Sequence, residues 1–217
     1  AEIANEKAAW AQELESWATP SVEGRIAPRR ALTQLARALP ANAMVSTDIG
    51  NVCSVADSYL RFDQAQSFLD AMSWGNCGYS YPAAIGAKVG RPDRPAVAYV
   101  GDGAWGMSLA EMMTCVRENI PVVAVVFDNQ QWGAEKKNQI DYFNNRFLGV
   151  NLENPSWAGI ARAFGCEGVT VDKLADAGPA LRDACKAQQQ GKTTVLEMMV
   201  TKELGDPFRR DALKLPK

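Results

Sequence analysis

The chain of 217 residues contains no histidine. That removes the commonest general base, the commonest zinc ligand and every Ser-His-Asp arrangement within these residues. Charge of one sign is also missing. The chain has 23 Lys and Arg against 25 Asp and Glu, a net charge of −2, which gives no reason to expect nucleic acid as a partner. No apolar run approaches the roughly 18 residues of a membrane-spanning helix, and the first residues do not read as a signal peptide. The five cysteines, Cys53, Cys77, Cys115, Cys166 and Cys185, are odd in number and irregularly spaced, with no Cys-x-x-Cys pair. They argue for reduced thiols in a cytoplasm and against zinc. Chemistry must therefore come from a cofactor, from carboxylates and lysines, or from another polypeptide.

What is present is ordinary for a soluble globular protein: 47% hydrophobic and 22% charged residues. The length suits one sizeable domain. Residues 1–27 read as a helical linker segment, 28–204 as the main domain and 205–217 as a basic tail. Within 28–204 the apolar pattern alternates between two periods. It predicts strands over 43–47, 96–100, 122–127, 168–171 and 193–200. Helices are predicted over 29–39, 52–60, 82–89, 109–118, 156–164 and 179–190, with a loop or helix over 133–145. Pro179 fits the first turn of its helix. Such alternation implies an α/β three-layer sandwich with a mainly parallel central sheet.

The most specific signal is Gly101-Asp102-Gly103 with Asn129 placed 27 positions after Asp102. Each follows a β-branched, apolar run, the first ending at Val100 and the second at Phe127. Two parallel strands joined by one helix would bring Asp102 and Asn129 to one sheet edge. A carboxylate and an amide oxygen beside glycines suit a hard divalent cation and the phosphates it carries. Ser108 and Glu111 read as a capping box that starts the next helix, leaving Ala104-Trp105-Gly106 in a loop. Backbone N–H groups there, with the helix dipole behind them, suit a diphosphate. A nicotinamide-binding reading fares poorly, because no Gly-x-Gly-x-x-Gly follows any early strand.

Gly-Asp-Gly, a spacer and a dipeptide ending in Asn resemble the thiamine diphosphate motif. The resemblance implies that Asp102, the Asn129 side chain and the Gln131 backbone carbonyl hold Mg²⁺. It places Gly101, Gly103 and Ala104 against the diphosphate. The block running from Ser73 through Asn76, Cys77 and Gly78 to Tyr79 is similar to the cofactor-holding segment of the acetohydroxyacid synthase group. There the Cys77 backbone carbonyl would accept from the pyrimidine 4′-amino group, with Asn76 beside it. Asp48-Ile49-Gly50-Asn51 resembles the loop that reaches the diphosphate from the other side, with Asn51 where the group has Gln and Val52 where it has His. The plainer readings are that Asn51 caps a helix and Cys77 is a small buried residue.

Segments 46–51, 58–62, 75–79, 131–139 and 203–213 resemble the sulfoacetaldehyde acetyltransferase family, over its C-terminal, diphosphate-binding part alone. The resemblance implies a thiamine diphosphate-binding fold and a transferase that turns sulfoacetaldehyde and phosphate into acetyl phosphate and sulfite. It implies a homo-oligomer and a pyrimidine-binding domain, in cis or on another subunit, which supplies the activating Glu. No residue here takes that catalytic role. The small anionic substrates make Lys136, Lys137, Arg209 and Arg210 candidates for sulfonate or phosphate contact, against the plainer reading of solvated faces. An acetohydroxyacid synthase-like enzyme, the cofactor subunit of a split sulfopyruvate decarboxylase, and a non-catalytic domain keeping the fold remain open.

Overall fold

The computed structural model describes residues 2–203, so the tail expected over 205–217, with Arg209 and Arg210, lies outside the described residues. Six strands run in chain order: β1 (Met44–Thr47), β2 (Phe68–Asp70), β3 (Ala96–Gly101), β4 (Val123–Asp128), β5 (Glu167–Val171) and β6 (Thr194–Met199). The helices are α1 (Glu2–Ser16), α2 (Pro28–Ala38), α3 (Asn51–Ala56), α4 (Ser80–Gly90), α5 (Asp102–Ser108), α6 (Met112–Glu118), α7 (Gly133–Tyr142), α8 (Trp157–Ala163) and α9 (Leu174–Gln189). A single 3₁₀ turn, Leu109–Glu111, joins α5 to α6.

The strands form one sheet in the order β2-β1-β3-β4-β6-β5, with every pairing parallel. Both faces are covered, which explains the unbroken apolar runs of β3 and β4. Val45, Val97, Tyr99, Val125 and Leu196 pack one face against Leu32, Leu35 and Leu181 of α2 and α9. Met44, Ala98, Val100, Ala124 and Val126 present the other face to Tyr81, Trp105, Met112 and Trp157. Small strand residues on that second face leave room for the Tyr81 and Trp105 rings, whose centroids meet edge-on at 4.9 Å. Each fully buried valine contributes about 1.5–3 kcal/mol relative to exposure. This is the three-layer arrangement that the alternation predicted.

Three local expectations are corrected. The helix after β3 begins at Asp102 itself, so Ala104, Trp105 and Gly106 are helical rather than a loop. Ser108 makes no cap: its hydroxyl is buried without a partner, and Glu111 instead accepts from Thr114 Oγ1. Burial of Ala104 and Trp105 against the sheet draws those residues into a helical turn ahead of the Ser-x-x-Glu signal. Pro179 is not in a first turn but inside α9. The buried stripe Ala177, Leu181, Ala184, Cys185 and Gln188 continues across it, so burial of one helix face carries α9 through the proline. Two shorter differences also appear. α3 ends at Ala56, and the three-residue strand β2 has too short a pattern to register in the sequence.

Candidate functional site

In this strand order the chain leaves β1 for β2 on one side and then crosses to β3 on the other. The segments after β1 and β3 therefore diverge, opening a crevice beyond the carboxyl ends of the strands. A cleft lies there. Gly50, Asn51, Cys77, Asp102, Asn129 and Gln131 are among its lining residues, as are Gly101, Gly103 and Ala104. Thus nine of the ten residues singled out as metal or cofactor contacts surround one space. The tenth, Asn76, is exposed and does not line it.

Asp102 directly follows β3 as the first residue of α5, and is 2% exposed. Its Oδ1 accepts from Gly103 N at 3.0 Å, and its Oδ2 accepts from Gln130 N at 2.7 Å and Asn154 Nδ2 at 2.7 Å. Asp128 stands beside it, its Oδ1 accepting from the same Gln130 N–H at 3.1 Å and from Asn154 Nδ2 at 3.2 Å. Burial first, and the Asp128 carboxylate next, push the Asp102 carboxyl above the usual carboxylate range. Such a carboxylate gains from a cation. Asn129 Oδ1 accepts from Gln131 N at 3.2 Å, a local turn that keeps the amide at the strand end.

The loop that follows β4 is held from three sides. Gln130 adopts the left-handed conformation at φ 56°, an uncommon state for a side chain of its size. Its carbonyl accepts from Leu152 N at 2.9 Å, and Trp132 N donates to Val150 O at 2.9 Å. From the N-terminal side, Arg25 Nη1 donates to the carbonyls of Asp128 and Val200, both at 2.9 Å. The Trp132 ring lies directly over Gly103: a Cβ on that glycine would sit 2.9 Å from its carbons. Glycine is required there by contact rather than by dihedral angle.

The donor set fits a Mg²⁺-bound diphosphate. Asn51 is 4% exposed, yet both its side-chain Oδ1 and Nδ2 lack any partner. Buried amides are rarely left so, and this one lines the cleft. Asn51 is not the cap of α3, a position held by Gly50 at φ 142°, where a side chain would be strained but would meet open space. Asp102, Gly103 and Ala104 of the first turn of α5 line the cleft, at the end of the helix where backbone N–H groups have no carbonyl one turn back to bond.

Several residues of the site carry no sequence signal. Asn154 reaches Asp102 across 52 positions and sits in an irregular segment. Trp132 gave no sign of its contact with Gly103. Glu135, at the start of α7, also lines the cleft, and its Oε2 accepts from Asn138 Nδ2 at 3.3 Å. The candidate anion ligands on α7 have local partners. Lys136 Nζ donates to Asn151 Oδ1 at 3.0 Å and lies over the Phe147 ring, while Lys137 pairs with Asp141.

Comparison with known proteins agrees with this geometry. The chain is 58% identical to sulfoacetaldehyde acetyltransferase of Castellaniella defragrans and 55% identical to that of Alcaligenes xylosoxydans xylosoxydans, over 100% and 99% of its own length. It spans only 39% of the length of each of these curated relatives. Among solved structures, benzoylformate decarboxylase from Polynucleobacter necessarius superposes with a TM-score of 0.72 at 25% identity, covering 80% of this chain and 33% of that one. Residues 48–198 match the family described as thiamine pyrophosphate enzyme, C-terminal TPP binding domain. That stretch starts at Asp48, just after β1, and takes in the whole cleft lining, and the chain belongs to this family of thiamine pyrophosphate-binding domains.

Proposed function

We propose that this chain is the diphosphate- and Mg²⁺-holding part of a sulfoacetaldehyde acetyltransferase, which converts sulfoacetaldehyde and phosphate into acetyl phosphate and sulfite. The observation that carries the reading is the convergence of Asp102 and Asn129 at the ends of adjacent parallel strands, beside an unpartnered Asn51. High identity to two proteins of that name supports the substrate assignment. Asp102, the Asn129 amide oxygen and the Gln131 carbonyl would hold the metal, an all-oxygen set that suits Mg²⁺. Gly50, Asn51, Gly101, Gly103 and Ala104 would take the diphosphate, and Cys77 would face the ring system.

When bound, thiamine diphosphate supplies the nucleophilic carbon that attacks the aldehyde. The residues of this chain bind and orient. Asn154 and the Gln130 N–H fix one oxygen of Asp102, leaving lone pairs of the other for the metal. Trp132 closes the space over Gly103. The activating Glu belongs to a pyrimidine-binding domain, in cis or on another subunit of a cytoplasmic oligomer. Alone, the chain is then a cofactor holder without turnover. Mixing it with a pyrimidine-binding domain of a relative, adding sulfoacetaldehyde, phosphate, thiamine diphosphate and Mg²⁺, and assaying sulfite tests this. Sulfite and acetyl phosphate in equal amounts are expected. Turnover by the isolated chain, or acetolactate or CO₂ from 2-oxo acids in place of sulfite, contradicts it.

A further inference from the structure

Asp48 is 3% exposed at the end of β1 and has no place among the metal or diphosphate contacts. Its carboxylate is spent on backbone. Oδ1 accepts from Ile49 N at 2.9 Å and from Gly78 N at 3.0 Å, and Oδ2 accepts from Ser80 N at 2.8 Å. Two of these donors belong to the segment that carries Cys77 to the cleft, 30 and 32 positions away in the chain. That segment is also confined from behind. Gly78 is at φ 82°, and a Cβ on it would lie 3.2 Å from Met107 Cβ of α5.

The Gly78 N–H and the Cys77 C=O share one planar trans peptide and point in opposite directions. Fixing the N–H on Asp48 therefore fixes the Cys77 carbonyl facing away from Asp48. We propose that Asp48 is a positioning residue: through the Cys77–Gly78 peptide its carboxylate sets the direction of the Cys77 carbonyl, and so the affinity for the ring part of the cofactor rather than for its diphosphate. This rests on the reading of the cleft as a thiamine diphosphate site. Ser46 ties the same segment to β1 at Ser80 alone, its Oγ donating to Ser80 O at 2.7 Å, and has no hold on the Cys77–Gly78 peptide.

Three N–H donors need both carboxylate oxygens. An amide in place of the acid must turn its own N–H₂ toward one of them, so Asp48→Asn releases part of the segment. The test compares Mg²⁺-dependent binding of thiamine diphosphate with that of inorganic diphosphate, by calorimetry on the whole 217-residue chain. In Asp48→Asn, thiamine diphosphate affinity is expected to fall at least about tenfold, the loss of one charge-assisted hydrogen bond. Inorganic diphosphate should bind within twofold of its original affinity, and Ser46→Ala should leave the ratio unchanged. Should Asp48→Asn fail to fold, Asp48→Glu displaces both oxygens by one methylene and must move the same ratio the same way. Equal weakening of both ligands means a merely structural residue, and unchanged binding of both means no role; either overturns the proposal. Binding of neither ligand by the unsubstituted chain overturns the reading of the cleft itself.

Discussion

Single residues at the strand ends set both the chemistry and its cost. Asp102 and Asn129 are legible in sequence because each stands two positions after an apolar, strand-forming run, and residues after parallel strands share an edge. Asn154, Trp132 and Asp48 do not announce themselves, because their roles come from contacts made only after the sheet has formed. Asp57 shows the cost of a carboxylate with thinner support, a single Thr47 hydroxyl. Its Oδ1 is buried without a partner, and burial, aided by the Asp70 charge, raises its pKa from 3.8 to about 6. The folded chain thus favours the protonated form. The stability this gives is full below pH 4 and is lost as pH rises through about 6. Asp57→Asn should remove this dependence and raise stability at pH 7.5 by about 1 kcal/mol, allowing for solvent at its partly open side. Urea denaturation at pH 4.5 and 7.5 checks it, and equal losses at both pH values would exclude a charge effect.

Elements hold the site through buried polar straps as well as apolar packing. The helices and the long strands were legible because their periods differ over enough residues to be read. The start of α5 was not, because burial of Trp105 outweighed the local Ser108 signal. Nor was the clamp on α8. Glu197 of β6, 3% exposed, accepts from Trp157 N at 2.8 Å and Thr170 Oγ1 at 2.8 Å, with Ser156 Oγ and Ala158 N further off. An acid in a strand would ordinarily read as a solvent-facing position. Here it ties β5, β6 and the amino end of α8 together. Glu197→Ala strands those donors, at about 3 kcal/mol for the group. The urea midpoint should fall accordingly, whereas Glu197→Gln, which keeps an acceptor, should lose less. Equal stability of all three forms would show the clamp to be idle.

At the scale of the whole chain, an all-parallel sheet with its switch point between β1 and β3 leaves one natural crevice. The residues of the thiamine diphosphate motif line it. The layer order was legible from alternation, because both sheet faces are covered and the strands read as continuous apolar runs. The placement of Cys77 was not, since its segment is irregular and is fixed by Asp48 from 30 positions away in the chain. On the proposed reading, the cleft holds Mg²⁺ and thiamine diphosphate through Asp102 and Asn129. Trp132, stacked over Gly103, makes a built-in reporter. The most direct measurement is tryptophan fluorescence during a thiamine diphosphate titration, with and without Mg²⁺, in the unsubstituted chain, Asp102→Ala and Trp132→Phe. Saturable quenching that requires Mg²⁺, vanishes in Asp102→Ala and shrinks in Trp132→Phe is predicted. Quenching that ignores Mg²⁺ and survives Asp102→Ala would contradict the account.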